Sequence, residues 1–288
     1  MSMKVGIDSY CYHRFFGEVY PGQKKPDKLM TMDDFLDKAK ALGVDGVSLE
    51  SCFFPSFDEG FLKELKAKLD DYGFDRVYAW GHPDGLERGQ NAEAFKDMMD
   101  SIPRAKQIGA TVMRVCGSSL MFRHEPREPQ IKALVAQFKE AVKVADEYGI
   151  KLANENHIDY TADEMLQMIE GVGSPNFGIN FDTGNFLRLL DDPVAGMEKL
   201  APHTFATHVK DLVVNANAKP DDWFFFSGVP VGRGLIDNFK LAELLKKHNY
   251  QGFLAVEIDH PHPDWADCED EAVSISVKAL RDITARLG

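Results

Sequence analysis

The sequence predicts a closed, eight-stranded parallel (β/α)8 barrel, a TIM barrel, formed by residues 1–288 as a single domain. Three observations predict it. Short runs rich in β-branched and apolar residues recur along the chain, amphipathic stretches separate them, and most of the runs are nearly continuously apolar instead of alternating. Continuous apolar strands are those covered on both faces, and strands alternating with helices build a parallel sheet. A length of 288 residues suits one such barrel, which takes about 250 residues before additions.

The eight runs are Val5 to Tyr10, Gly46 to Glu50, Arg76 to Trp80, Thr111 to Cys116, Lys151 to Glu155, Phe177 to Asp182, Phe205 to Val209 and Phe253 to Ile258. The helices carry start and stop signals. Thr31 caps Met32 to Leu42, with Asp34 in the first turn and Gly43 closing it. Thr161 opens Ala162 to Gly171 with Glu164 three residues on, a capping-box pattern. Gln130 to Tyr148 ends at Gly149, and Asn238 to His248 precedes the last strand. Pro103 within Ala92 to Ile108 predicts a kink or break. Eight units favour closure, because an open sheet leaves two edges to protect; an open doubly wound sheet is the alternative.

Two loops are long, His13 to Leu29 after the first strand and Lys210 to Asp237 after the seventh. Both mix aromatic, Gly and Pro residues in the manner of lids or subunit contacts, and solvated insertions are the plainer reading.

Composition narrows the function. A net charge of −13 and a pI near 5.1, with no basic run to reverse the sign locally, argue against a nucleic-acid partner. No apolar run approaches the ~20 residues of a membrane span, and the first residues lead straight into a strand, so no membrane association and a cytoplasmic location are expected. Cys11, Cys52, Cys116 and Cys268 form no CxxC pair, which argues against a zinc ribbon or disulfide framework; the first three read as small apolar filler at strand ends.

Ionisable residues gather where the apolar runs stop: Glu50, His82, Glu155 and His157, Asp182 and Asn185, His208 with Lys210 and Asp211, and Glu257. In a barrel these strand ends share one mouth. A carboxylate at the end of a buried strand must be paired or hold a metal. Glu155, Asp182, His208 and Glu257 lie on four consecutive predicted strands, and together they read as the ligands of one divalent ion. Three oxygen ligands and one nitrogen suit Mn²⁺ or Mg²⁺, with Co²⁺ or Zn²⁺ also compatible.

The segments Ala153-Asn-Glu-Asn-His157, Asn180-Phe-Asp-Thr-Gly-Asn185, Thr207-His-Val-Lys-Asp211, Val231-Gly-Arg-Gly234 and Ala255-Val-Glu257 carry a resemblance. With them the chain resembles, over nearly its whole length, the xylose-isomerase-like barrels. These include sugar and sugar-phosphate isomerases and epimerases such as the ketose 3-epimerases and hydroxypyruvate isomerase. The resemblance implies that Glu155, Asp182, His208 and Glu257 bind the metal, that Glu155 and Glu257 also face a small carbohydrate from opposite sides, and that the protein is a homo-oligomer, a dimer or tetramer.

The chemistry has its own logic. Isomerising or epimerising an α-hydroxy ketone removes a proton beside a carbonyl and returns it elsewhere or from the other face, which two carboxylates can do. A metal serves as Lewis acid and stabilises the enediolate. A ligating carboxylate loses basicity, so His157 is the alternative base. His157 and Asn185 both depart from the ketose 3-epimerase pattern. Glu155-Asn-His157 is closer to the metal-dependent subunits of C-glycoside deglycosidases.

Around the metal, Trp80 is expected as an apolar platform for a sugar face. His82, Asn185 and Lys210 are expected as polar contacts, Glu50 as a hydroxyl acceptor or partner of Lys210 or His82, and Arg233 as a contact for an anionic group. His260, His262 and Trp265 read as a rim or subunit contact, with a second metal conceivable. A metal-dependent isomerase or epimerase leads. A lyase or dehydratase acting on a keto sugar, keto-inositol or C-glycoside with His157 as base comes second, ahead of a repair-type endonuclease and a non-catalytic sugar-binding subunit.

Overall fold

The strands run β1 (Lys4–Asp8), β2 (Gly46–Glu50), β3 (Asp75–Ala79), β4 (Val112–Cys116), β5 (Lys151–Glu155), β6 (Phe177–Asp182), β7 (Thr204–Val209), β8 (Asp211–Val214), β9 (Phe226–Val229) and β10 (Phe253–Val256). They come from a computed structural model that describes residues 3–219 and 225–288. Residues 220–224, inside the Lys210 to Asp237 loop, and the first two residues lie outside the described residues. Eight strands close in the order β1-β10-β7-β6-β5-β4-β3-β2, every pair parallel. All eight predicted strands are present.

β1 stops at Asp8 instead of continuing to Tyr10. The Asp8 carboxylate accepts the Tyr10 backbone N–H at 2.6 Å, which turns the chain into the 3-10 stretch Ser9–Phe16. β8 and β9 form an antiparallel hairpin within the second long loop, where the sequence predicted no regular structure.

The helices are α1 (Met32–Ala41), α2 (Glu59–Tyr72), α3 (Ala92–Gln107), α4 (Arg127–Tyr148), α5 (Ala162–Val172), α6 (Thr183–Arg188), α7 (Pro193–Leu200), α8 (Asn238–Lys247) and α9 (Glu269–Leu287). Thr161 forms the expected capping box with Glu164, and the Thr31 cap is also a capping box, closed by Asp34. α3 runs through Pro103 without the break the sequence predicted. Its face of Met98, Ile102 and Ala105 is fully buried, and packing on both sides of the proline holds the helix together where a local signal alone would end it.

The large core lies between sheet and helices, with Phe35, Leu36, Phe138, Phe177 and Phe181 among its filled positions. A second, smaller cluster joins Val77, Ala153, Ala206, Phe253 and Ala255. β3, β5 and β7 are not neighbours in the sheet, so their side chains can meet only in the barrel lumen. Phe253 seats against Gly46, where an added Cβ would stand 2.6 Å from the Phe253 ring. Apolar packing thus closes the lower lumen and leaves the C-terminal strand ends as the place for polar groups.

Candidate metal centre

Glu155 ends β5, Asp182 ends β6, His208 is the penultimate residue of β7, and Glu257 follows the last residue of β10. Each offers one ligand atom, and these atoms all lie within 4.8 Å of one another in a buried cluster. His208 Nδ1 stands 2.6 Å from Glu257 Oε2, 3.2 Å from Glu155 Oε1 and 3.9 Å from Asp182 Oδ2.

The strand ends are fixed by side chains that replace sheet hydrogen bonds. Asn156 donates to the Asp182 carbonyl and accepts the Asp182 N–H, both at 2.9 Å, joining β5 to β6. Thr183 does the same for Lys210, joining β6 to β7. Asp182 divides its carboxylate. Oδ1 accepts the N–H groups of Gly184 and Asn185 at 2.8 Å and caps α6, which leaves Oδ2 for the cluster.

Donor chemistry and hydrogen bonding both fit a divalent ion. Asp182 Oδ2 and Glu257 Oε2 are buried and make no hydrogen bond of good geometry; only the ion-pair contacts of Lys210 Nζ at 2.8 Å and His208 Nδ1 at 2.6 Å meet them, and a divalent ion among the four ligand atoms would complete their neutralisation. On the far side of His208, Nε2 faces Asp8 Oδ2 at 3.3 Å. The contact is an ion pair without hydrogen-bond geometry, and it places a carboxylate behind the ring, where the orienting partner of a metal-ligating imidazole sits. Nδ1 points into the cluster, where, against the effect of burial, Glu257 and Glu155 hold the imidazole well above its ordinary pKa.

Two buried cations balance the carboxylates. Arg114, at the centre of β4 and 8% exposed, ion-pairs with Glu50 and, at 3.0 Å, with Glu155 Oε2. Burial opposes the Glu155 charge, yet Arg114 and His208 hold its carboxyl well below the ordinary range. Lys210 Nζ lies 2.8 Å from both Asp182 Oδ2 and Asp259 Oδ2 and 3.4 Å from Glu257 Oε1. Arg188 grips Asp259 from behind at 2.6 Å. Burial, outweighing Lys210, pushes Asp182 up to about 7 in the metal-free cluster.

Above the cluster opens a cavity of about 480 Å³. His157 lines it with a buried Nδ1 that has no hydrogen-bond partner, and burial holds this imidazole below its usual pKa. His157 precedes Ile158, whose φ of +58° is unusual for a β-branched side chain; Asp159 Oδ1 holds the bend by accepting the His157 and Tyr160 N–H groups. His82, Asn185, Lys210 and Glu50 also line the cavity, so the structure brings these sequence-predicted residues together.

Trp80 and Arg233 are placed otherwise. Trp80 is 0% exposed and donates Nε1–H to Asp97 at 2.8 Å, so it packs in the core and backs the stacked His82 ring instead of meeting a sugar. Arg233 is exposed on a turn whose flanking Gly232 and Gly234 N–H groups wrap the Asp211 carboxylate at 2.9 Å, away from the cavity. Glu50 pairs with Arg114, neither Lys210 nor His82. Cys52 is exposed and lines the cavity instead of serving as buried filler, whereas Cys11 and Cys116 are buried. His260 lines the cavity, its ring tilted against that of Tyr20 with centroids 4.3 Å apart. Asp8, Arg114 and Asp259 are the site-building residues that carried no signal of their own in the sequence.

The profile of the xylose isomerase-like TIM barrel family matches residues 36–282. The chain belongs to this family. Among its relatives is an L-ribulose-5-phosphate 3-epimerase of Shigella flexneri, 26% identical over 216 residues that cover 74% of this chain and 69% of that protein. Another is a 3-oxo-isoapionate decarboxylase of Pectobacterium atrosepticum, 25% identical over 163 residues. That match spans 56% of each chain. A xylose isomerase domain protein from Planctomyces limnophilus superposes with a TM-score of 0.76 at 18% identity, covering 99% of this chain and 98% of that one. The IOLI protein with a bound zinc atom superposes at 0.73 with 16% identity and 99% coverage of both chains.

Proposed function

We propose that this protein is a divalent-metal-dependent isomerase or epimerase of a small carbohydrate bearing a carbonyl group, acting through an enediolate. One observation carries the reading: four ligand atoms from four strand ends converge, buried, beneath a cavity that Glu155 and Glu257 both line. A divalent ion there, Mn²⁺ or Mg²⁺ by the oxygen-rich set with Co²⁺ or Zn²⁺ as alternatives, would supply Lewis-acid polarisation of the substrate oxygens.

The residues divide the remaining work. β5 and β10 are separated by β6 and β7 in the closed sheet, so Glu155 and Glu257 reach the cavity from different sides, as removal and return of a proton on two faces requires. Arg114 keeps Glu155 ionised at some cost in basicity. Asn185 and His82 meet the substrate's oxygens, Lys210 holds Asp182 and Asp259 in place beside them, and Asp8 orients His208. The epimerase relative supports the reaction class.

Hydrogen exchange tests it. Incubation with Mn²⁺ and a panel of ketoses in D₂O is expected to place deuterium beside the carbonyl, and Glu257→Gln is expected to abolish the exchange. Absence of exchange with every carbonyl sugar would sink the proposal.

A second reading rests on His157. Its imidazole lines the cavity, burial favours the neutral form a base needs, and the decarboxylase relative supports lyase chemistry. In that reading the same carbanion expels a substituent from a 3-keto sugar, keto-inositol or C-glycoside. Enone formation or aglycone release, lost in His157→Ala, is its expected sign; unchanged activity in that variant removes the histidine from the mechanism.

A further inference from the structure

The charges around the cavity are unevenly distributed. Six carboxylates line it: Glu18, Glu50, Asp84, Glu155, Glu257 and Asp259. Arg114 and Lys210 are the lysine and arginine side chains among the described lining residues, and carboxylates already hold both. Arg114 bridges Glu50 and Glu155 and spends its remaining reach on the Trp80 carbonyl at 2.9 Å. Lys210 bridges Asp182 and Asp259. Residues 220–224 read Pro-Asp-Asp-Trp-Phe and bring no Lys or Arg. Burial holds the Glu50 carboxyl above the ordinary range and Asp259 is matched by Arg188 as well as Lys210, so the negative charge left unbalanced beside a divalent ion is that of Glu18 and Asp84, which have no Lys or Arg partner among the described residues.

Such a wall favours one kind of guest. Ionised carboxylates accept hydrogen bonds and donate none, so they pair with a molecule rich in hydroxyl donors. A phosphate group asks the reverse: cations and N–H donors around its oxygens. The carboxylates nearest the rim are the least neutralised. Glu18 is held by the hydroxyls of Tyr10 and Tyr20 at 2.9 and 2.8 Å, and Asp84 by Ser119 at 2.7 Å, neutral partners that leave the charge in place.

We infer that the cavity takes a neutral, unphosphorylated sugar and rejects the phosphate ester of the same skeleton. This inference rests on the carbonyl chemistry proposed above and narrows its substrate class. It sets the chain apart from its relative named for L-ribulose 5-phosphate.

Calorimetric titration of the full chain saturated with Mn²⁺ tests it, with L-ribulose against L-ribulose 5-phosphate and D-fructose against D-fructose 6-phosphate. The neutral member of each pair is expected to bind tighter by about tenfold or more, since like charges brought together in an interface are strongly disfavoured. In Asp84→Lys the ratio is expected to shrink as binding of the ester rises; Asp84→Asn gives the same trend in smaller measure should the lysine disturb folding. Equal or tighter binding of the esters overturns the inference, as does binding of neither member. Deuterium exchange separates the two claims. Exchange with phosphorylated ketoses alone defeats the inference and leaves the isomerase reading intact, whereas tight binding of neutral ketoses without exchange does the opposite.

Discussion

The two ends of the barrel solve opposite problems. At the N-terminal end Phe253, with Val77, Ala153, Ala206 and Ala255, fills the lumen with apolar atoms, and Gly46 gives way to the Phe253 ring. At the C-terminal end the lumen holds Asp182, His208, Glu155 and Lys210, all buried and all charged or able to be. The lower end gains from burial at about 25 cal/mol per Å² of apolar surface. The upper end forgoes that gain and is tolerable only because every charge has a counter-charge or a place for an ion. Stability and chemistry are therefore separable, and substitutions should separate them.

The largest effect belongs to the upper end. Asp182→Asn or His208→Ala is expected to weaken Mn²⁺ binding by more than the roughly 10–100-fold typical of outer-sphere partners, measured by calorimetry. Asp8→Asn tests such a partner directly: about 10–100-fold weaker binding, with the fold intact by circular dichroism. At the lower end, Phe253→Ala is expected to cost about 3–5 kcal/mol and to lower Tm by about ten degrees while metal affinity is unchanged. A fall in affinity to match would break the separation of the two ends.

Metal itself should sharpen the contrast. Against burial, Glu257 and Glu155 hold His208 well above its ordinary pKa, and burial pushes Asp182 up to about 7 in the metal-free cluster, so the ion must displace protons from both ligands as pH falls. Mn²⁺ affinity should therefore fall as pH drops from 8 to 6, with proton release visible in calorimetry across buffers of different ionisation enthalpy. Chelation should lower Tm, since an ion at about 100 times its Kd stabilises the fold by about 2.7 kcal/mol. The smallest effect is expected from Thr161→Ala, which removes a cap from α5 for about 1 kcal/mol, without change at the metal.

The fold was legible because the barrel strands are mostly apolar runs with polar residues at or close to the C-terminal ends of several of them. The four ligands were legible because those endings fall in the same place on consecutive strands. Arg114 was not, since it lies in mid-strand among apolar neighbours, and its pairing with Glu50 and Glu155 exists only once β2, β4 and β5 are rolled into a barrel. Asp8 was hidden for a related reason: it meets His208 only because β1 closes against β10. Trp80 misled because a strand-end aromatic can turn outward as readily as inward, and Asp97 on α3 supplied the hydrogen bond that turned it outward. The hairpin of β8 and β9 was masked by polar loop composition around short apolar stretches.

Asp182 places a constraint on anyone wishing to re-engineer the metal preference. One of its oxygens holds the start of α6 while the other faces the cation position, so replacing it by cysteine, as a softer ion would demand, also removes the anchor of that helix. Asn185, which reaches toward Glu155 from the first turn of α6, would lose its station at the same time. Selectivity for hard ions is in this way bound to the chain's own architecture, and a change of element would have to begin with a new way of starting one short helix.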